Sequence, residues 1–221
     1  MPVNGKEFAR MMDGTLIGST ATLSETRELL DLALLHHFHC VFAPRPFYPE
    51  VAKALAGSDV HFGCGCGGAV VPTSIKRLMV EEGLRFGCNE FDMVMNLPAF
   101  KSGLYDEVVR DIRAIRDAVG KNLLKCIIET PLLSDREIEK ACELAIEGGV
   151  DFIKTAVGRD GPTTVHHIEV MSKAVRGRVQ MKASGGIRTI ETVDRMIDLG
   201  VTRFGVSYKS GLAIMEAADK R

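Results

Sequence analysis

The run Asp151-Phe152-Ile153-Lys154-Thr155 closes an otherwise apolar stretch on a lysine. Alternation along a strand sets Phe152, Lys154 and Ala156 on one face and Ile153, Thr155 and Val157 on the other, so Lys154 shares its face with apolar neighbours. Further on, Val179-Gln180-Met181-Lys182-Ala183-Ser184 repeats the arrangement and passes directly into Gly185-Gly186. One lysine at a strand end usually snorkels to water. Two of them, ending successive strands and each followed by a glycine-containing loop, point to a shared site. Neutral lysine attacks carbonyl carbon, and the protonated imine it forms is an electron sink that lets a neighbouring carbon–carbon bond break or form.

A free lysine, with a pKa near 10.4, is almost wholly protonated at pH 7. A second ammonium corrects this: at roughly 6 Å and an effective dielectric of about 20 the repulsion is on the order of 3 kcal/mol, or about two pKa units. Burial pushes the same way. One lysine can be the nucleophile, the other its tuning charge, and a nearby acid can carry protons through carbinolamine and imine. Parity does not say which lysine attacks.

The elements that position these residues alternate. A short leading helix over Gly5 to Arg10 precedes a strand over Met11 to Thr15, which ends at Asp13 and Gly14. A helix opened by Ser24 runs to His37, then come a strand over His39 to Ala43 and a proline-entered helix over Tyr48 to Leu55. The strand from Val60 dissolves into Gly63-Cys64-Gly65-Cys66-Gly67-Gly68, where backbone can approach a ligand closely. A helix over Ser74 to Phe86 leads to the strand Glu90 to Asn96, whose parity places Asp92, Val94 and Asn96 on one face; a buried acid there must be paired or protonated. Next come a helix over Tyr105 to Val119, the strand Leu124 to Glu129, and a helix over Asp135 to Glu147 capped by Ser134. The two lysine strands flank a helix over Val165 to Val175; a helix to Leu199, the strand Arg203 to Tyr208 and a last helix follow.

About eight strands alternating with helices over 221 residues predict a (β/α)8 TIM barrel, one domain spanning 1–221 with a short N-terminal helix, rather than an open doubly wound sheet. No Gly-x-Gly-x-x-Gly follows the first strand and no phosphate-loop motif occurs. In such barrels the working residues lie at the C-terminal ends of the strands, where Asp13, Asp92, Glu129, Lys154, Lys182 and Ser207 all fall.

Composition narrows the classes. With 28 Lys+Arg against 29 Asp+Glu the net charge is −1, which offers no bulk attraction to nucleic acid or an anionic membrane. No apolar run reaches a membrane span and the N-terminus lacks a signal-peptide core, so a soluble, cytoplasmic protein is expected. The six cysteines suit reduced, packed thiols, and Cys64-Gly-Cys66 is not a usual zinc spacing, so no metal is expected. His36, His37 and His39 invite a metal reading, but the first two end a helix, where histidine suits the negative dipole end.

Four motifs, Glu90-Phe91-Asp92-Met93-Val94-Met95-Asn96, Leu124-Lys125-Cys126-Ile127-Ile128-Glu129-Thr130, Asp151-Phe152-Ile153-Lys154-Thr155 and Lys182-Ala183-Ser184-Gly185-Gly186-Ile187-Arg188-Thr189, resemble the deoxyribose-phosphate aldolase family in order and spacing. The resemblance covers nearly the whole chain. It implies a class I aldolase on a (β/α)8 barrel, without metal or cofactor, interconverting 2-deoxy-D-ribose 5-phosphate with acetaldehyde and D-glyceraldehyde 3-phosphate. By motif position it makes Lys154 the Schiff-base lysine, Lys182 the neighbour that lowers its pKa, Asp92 the proton-transfer acid and Asp13 a further acid of the relay. It also implies a phosphate and substrate site at Thr155, Gly158, Gly185, Gly186 and Ser207.

The chain departs from the family at that site. Thr155-Ala156-Val157-Gly158 stands where Thr-Ser-Thr-Gly is usual, Ser207-Tyr208-Lys209 where paired serines are usual, and Gly14 where a larger residue is common. The glycine run Gly63 to Gly68 replaces a more apolar loop. Arg159 or Lys209 is then a candidate for an altered phosphate contact, and Tyr208 either lines the site or fills space. A second reading keeps the lysines and turns the pocket to another short hydroxy-aldehyde or keto sugar. A third is a non-catalytic sugar-phosphate binding protein. The expected partners are a small aldehyde and a sugar phosphate, with a homodimer, from the commonness of two-fold assemblies, or a higher homo-oligomer.

Overall fold

Each predicted strand finds its place in one parallel sheet that closes on itself in the order β1 to β8, with β8 pairing back to β1. The structure is a computed structural model and describes residues 2–221. The strands are β1 (Met12–Thr15), β2 (Cys40–Phe42), β3 (His61–Gly65), β4 (Glu90–Val94), β5 (Leu123–Ile127), β6 (Phe152–Lys154), β7 (Gln180–Ser184) and β8 (Val201–Ser207). The helices are α1 (Gly5–Ala9), α2 (Leu23–His36), α3 (Tyr48–Leu55), α4 (Thr73–Arg85), α5 (Leu97–Lys101), α6 (Tyr105–Val119), α7 (Asp135–Glu147), α8 (Val165–Val175), α9 (Ile190–Asp198) and α10 (Tyr208–Asp219). This is the (β/α)8 barrel the alternation predicts.

Local chemistry sets the boundaries. Thr22, not Ser24, opens α2: the Thr22 hydroxyl accepts from the Glu25 amide while the Glu25 carboxylate accepts from the Thr22 amide, a reciprocal cap that lies two residues earlier. The Ser134 cap of α7 forms as expected, again reciprocally with Glu137. The strand expected to reach Asn96 stops at Val94, because the Asn96 side chain accepts from the Ala99 amide and caps the short helix α5. The outer helices bury one stripe each; in α6 it is Val108, Ile112, Ile115 and Val119, each buried side chain contributing roughly 1.5–3 kcal/mol.

The two faces of the sheet differ sharply. Outward residues such as Phe91, Met93, Leu124, Cys126, Ile153 and Phe204 are fully buried beneath the helices. Barrels of this type usually fill their interior with branched apolar side chains. Here the inward positions instead carry Asp13, Glu90, Asp92, Lys125, Lys182 and Arg203, all buried, so the core of the barrel is ionic.

Candidate active site

Parallel pairing puts the two lysines side by side, since Lys154 and Lys182 are Cα partners on β6 and β7. Asp92 lies between them: its Oδ2 accepts from Lys154 Nζ at 2.9 Å and from Lys182 Nζ at 3.0 Å, while its Oδ1 accepts from Lys125 Nζ at 3.0 Å. Lys182 also donates to Asp13 Oδ2 at 2.5 Å, and the other Asp13 oxygen takes Arg203 at 2.8 Å. Glu90 closes the lower layer with Lys125 at 2.5 Å and Arg203 at 3.1 Å. The Phe42 ring caps the group, with Lys182 Nζ 4.6 Å and Lys154 Nζ 5.9 Å from its centroid. A Cβ on Gly63 would fall 2.4 Å from that ring, so this glycine makes its room.

Charge counting explains the state of Lys154. Three carboxylates (Asp13, Glu90, Asp92) face four cations (Lys125, Lys154, Lys182, Arg203), and three of those cations suffice for neutrality. Burial lowers Lys154, and the charges of Lys182 and Lys125 add to this against the opposing pull of Asp92, so that it is pushed down to about 8. Burial alone would raise Asp92, but Lys125, Lys154 and Lys182 together hold it well below the usual carboxylate range. Asp13 and Glu90 are lowered in the same way, Asp13 chiefly by Lys182 and Glu90 chiefly by Lys125. Asp92 therefore stays an anion beside an amine that readily loses its proton.

Two cavities meet at Lys154. The first, about 420 Å³, is lined by Phe42, Asp92, Glu129, Lys154 and Arg159 among others, and the second, about 320 Å³, by Lys154, Gly158, Gly185, Gly186, Arg188 and Ser207. Lys182 and Asp13 reach neither; they sit fully buried beneath, hydrogen-bonded to each other, with Lys182 also donating to Asp92. In the second cavity Gly158, Gly185 and Gly186 all have positive φ. A Cβ on Gly158 would stand 2.9 Å from the Gly185 Cα, so the two loops touch backbone to backbone. Ser207 caps α10, accepting from the Ser210 amide, and the Arg188 guanidinium donates to Ser210 Oγ at 2.8 Å, so a helix N-terminus and a guanidinium share this wall. Glycine loops, backbone amides and one arginine suit a phosphate dianion.

Several expected residues lie elsewhere. Thr155 lines neither cavity: its hydroxyl donates to the Ser184 carbonyl at 2.8 Å and accepts from the Ser184 amide at 2.9 Å, stapling the β6 loop to the β7 loop. Tyr208 is buried against α2, its hydroxyl donating to Glu28, and Lys209 leans toward Glu25, so neither faces the second cavity. Arg159 lines the first cavity rather than the second. Gly14 points outward, toward Phe38 and Leu29. His36 and His37 end α2 as expected, whereas His39 joins His61 at Glu90, whose oxygens already hold Lys125 and Arg203. The sequence reading passed over Glu90, Lys125, Arg203 and Arg188. Strand parity was the available signal for the first two, which share faces with Asp92 and Glu129.

The model of the DeoC/LacD family of aldolases matches residues 67–216, which contain Asp92, both lysines and the glycine loops. The chain belongs to this family. It is 38% identical over 218 residues to a deoxyribose-phosphate aldolase of Staphylococcus carnosus, covering 96% of this chain and 97% of that one. Among solved structures it superposes on the aldolase QR15 with a TM-score of 0.88 at 32% identity, covering 97% of this chain and 96% of that one. It shares the fold of a tetrameric deoxyribose phosphate aldolase from Aeropyrum pernix, with a TM-score of 0.87 at 22% identity, covering 96% of this chain and 91% of that one. No helix among the described residues is long and apolar enough to cross a membrane.

The backbone contact between the two loops gives this aldolase-family chain a direct test. Gly158→Ala is expected to raise KM for a phosphorylated substrate by about tenfold or more, about 1.4 kcal/mol of binding, while leaving imine formation with acetaldehyde far less affected. Steady-state kinetics with both compounds reads the split.

Proposed function

We infer that this chain is a Schiff-base aldolase that reversibly cleaves 2-deoxy-D-ribose 5-phosphate to acetaldehyde and D-glyceraldehyde 3-phosphate. The observation that carries the reading is Lys154: the surplus cation of a buried charge cluster, hydrogen-bonded to Asp92 and placed where the two cavities meet. The 38% identical relative carries the deoxyribose-phosphate aldolase name.

The chemistry follows from the positions. Neutral Lys154 adds to the C1 aldehyde of the open-chain sugar, and loss of water gives the iminium. The C3 hydroxyl gives up its proton, the C2–C3 bond breaks, and its electron pair moves toward the iminium nitrogen to leave an enamine. C3 departs as the aldehyde carbon of glyceraldehyde 3-phosphate. Protonation of the enamine at C2 and hydrolysis of the imine then release acetaldehyde and the free lysine. Asp92, held as an anion within hydrogen-bond reach of Lys154, is the proposed carrier of these protons. Lys182 and Asp13 are proposed as positioning residues beneath it, and Gly158, Gly185, Gly186, Ser207 and Arg188 as the phosphate cradle. We propose that copies of the chain assemble as a homo-oligomer in the cytoplasm; a monomeric mass by light scattering would overturn the assembly.

Because the attacking form is the free amine, the rate of imine formation is expected to rise with pH through about 8 and level off above it, as Lys154 deprotonates. An unperturbed lysine would keep the rate rising to about 10.4. The deciding experiment is borohydride reduction of the protein with 2-deoxyribose 5-phosphate, followed by peptide mapping. An adduct on Lys154 with acetaldehyde released in turnover supports the reading. Trapping only with other carbonyl compounds transfers it to a different short sugar, and no trapping with any of them leaves a binding protein.

A further inference from the structure

Glu129 stands apart from the ionic cluster and has no part in the mechanism above. It lies two residues beyond Ile127, the Cα partner of Lys154, and lines the same cavity as Lys154 and Asp92. The strands on either side of it are held: the Ile128 amide donates to the Lys154 carbonyl and the Thr130 amide to the Thr155 carbonyl, each at 3.0 Å. Between those bonds Glu129 takes a left-handed backbone, φ 53° and ψ 60°, which costs a residue with a side chain on the order of 1–3 kcal/mol.

The side chain is buried, with 4% of its surface exposed. Its Oε1 accepts from the Val157 amide at 3.1 Å. Its Oε2 is the one buried side-chain oxygen or nitrogen among the described residues with no hydrogen-bond partner. A buried, unpaired carboxylate oxygen costs a protein about 1–3 kcal/mol or more unless something satisfies it. Burial, with the charge of Asp160 adding to it, raises the Glu129 pKa above the ordinary value, as expected for a carboxylate short of donors. Strain and an unmet acceptor thus coincide on one residue that lines the same cavity as Lys154.

We propose that Glu129 is a specificity-determining residue whose Oε2 accepts a hydrogen bond from a non-reacting hydroxyl of the substrate, the one on the carbon next to the aldehyde of the three-carbon acceptor. This rests on the aldolase reading. It makes the first cavity a reader of hydroxylation, whereas the second cavity reads phosphate. Binding a hydroxylated acceptor satisfies Oε2; binding its deoxy counterpart leaves the oxygen buried and unpaired, and a site built to hydrogen-bond a hydroxyl discriminates strongly against the analogue that lacks it.

The test is carbon–carbon bond formation from acetaldehyde with two acceptors, glyceraldehyde 3-phosphate and 3-oxopropyl phosphate, in wild type, Glu129→Gln and Glu129→Met. Glu129→Gln keeps an oxygen for the Val157 amide and replaces only the second acceptor. The expected result is a wild-type preference in kcat/KM for the hydroxylated acceptor that shrinks by about 10- to 100-fold in Glu129→Met and by less in Glu129→Gln, with the loss falling on the hydroxylated acceptor. Equal falls for both acceptors in both variants would make Glu129 a structural residue and overturn the proposal. So would a wild type with no preference. Borohydride trapping of acetaldehyde on Lys154 separates the two failures: no adduct in wild type strikes the aldolase reading itself, whereas an adduct with an unaltered acceptor ratio strikes only the role of Glu129.

Discussion

Lys154→Ala is expected to abolish the borohydride-stable adduct and to lower kcat/KM for 2-deoxyribose 5-phosphate cleavage on the order of 10⁴- to 10⁶-fold, the scale on which enzymes lose activity with their nucleophile. The size of the effect follows from the absence of a substitute. Lys182 and Lys125 are each held by two or more carboxylates at the base of the site and line neither cavity. Neither can reach a carbonyl in the cavities without breaking a buried ion pair, which typically costs 3–5 kcal/mol. The fold should survive, because Asp92 keeps Lys125 and Lys182 as partners and the cluster then holds three charges of each sign. Intact-mass analysis after reduction, with thermal melts of both proteins, checks the two halves of this result. An adduct that persists in the variant on another lysine would show that the nucleophile had been misassigned.

The barrel was legible because each strand is short, apolar on its outer face and followed by a helix with its own buried stripe, several of them opened by a side-chain cap such as Thr22, Ser134 or Thr189. The lysine pair was legible for the same reason: period-two alternation turns Lys154 inward, and parallel register then brings Lys182 beside it. Half of the ionic core escaped the reading. Glu90 opens its strand and reads locally as a rim charge; Arg203 likewise stands near the start of the final strand. Only closure of the barrel, which brings β8 against β1 and tilts the strands past one another, places Arg203 between Asp13 and Glu90. Thr155 shows the converse. Its position one residue past Lys154 marks it for the site, but alternation sends its side chain the other way, into the Ser184 backbone. The proposed phosphate cradle was readable as glycine, because positive φ and backbone contact demand glycine at Gly158 and Gly185, whereas the approach of Arg188 to Ser210 depends on how α10 begins.

Charge balance makes the second large prediction. In the wild type, the proton on Lys154 is the one the core can do without, since Lys125, Lys182 and Arg203 already match Asp13, Glu90 and Asp92. Lys182→Met keeps much of the side-chain volume and removes one positive charge. Asp13 retains Arg203 and Asp92 retains Lys125, but the cluster then holds three anions and two fixed cations, and the Lys154 proton becomes the third charge it needs. Removing the Lys182 repulsion shifts Lys154 in the same direction, upward from about 8. A rise of about two units, the scale of one ammonium at roughly 6 Å, cuts the free amine at pH 7 about 100-fold. Imine formation at pH 7 should fall by that factor and recover as the pH is raised, with its midpoint displaced toward 10. Lys182→Arg keeps the charge and should leave the midpoint near the wild-type value even if the rate drops. The pH profile of the trapping rate in the three proteins separates the possibilities. A fall that is equal at every pH, with the midpoint unmoved in Lys182→Met, would mean that Lys182 serves by geometry or proton transfer alone and that the low pKa of Lys154 comes from burial.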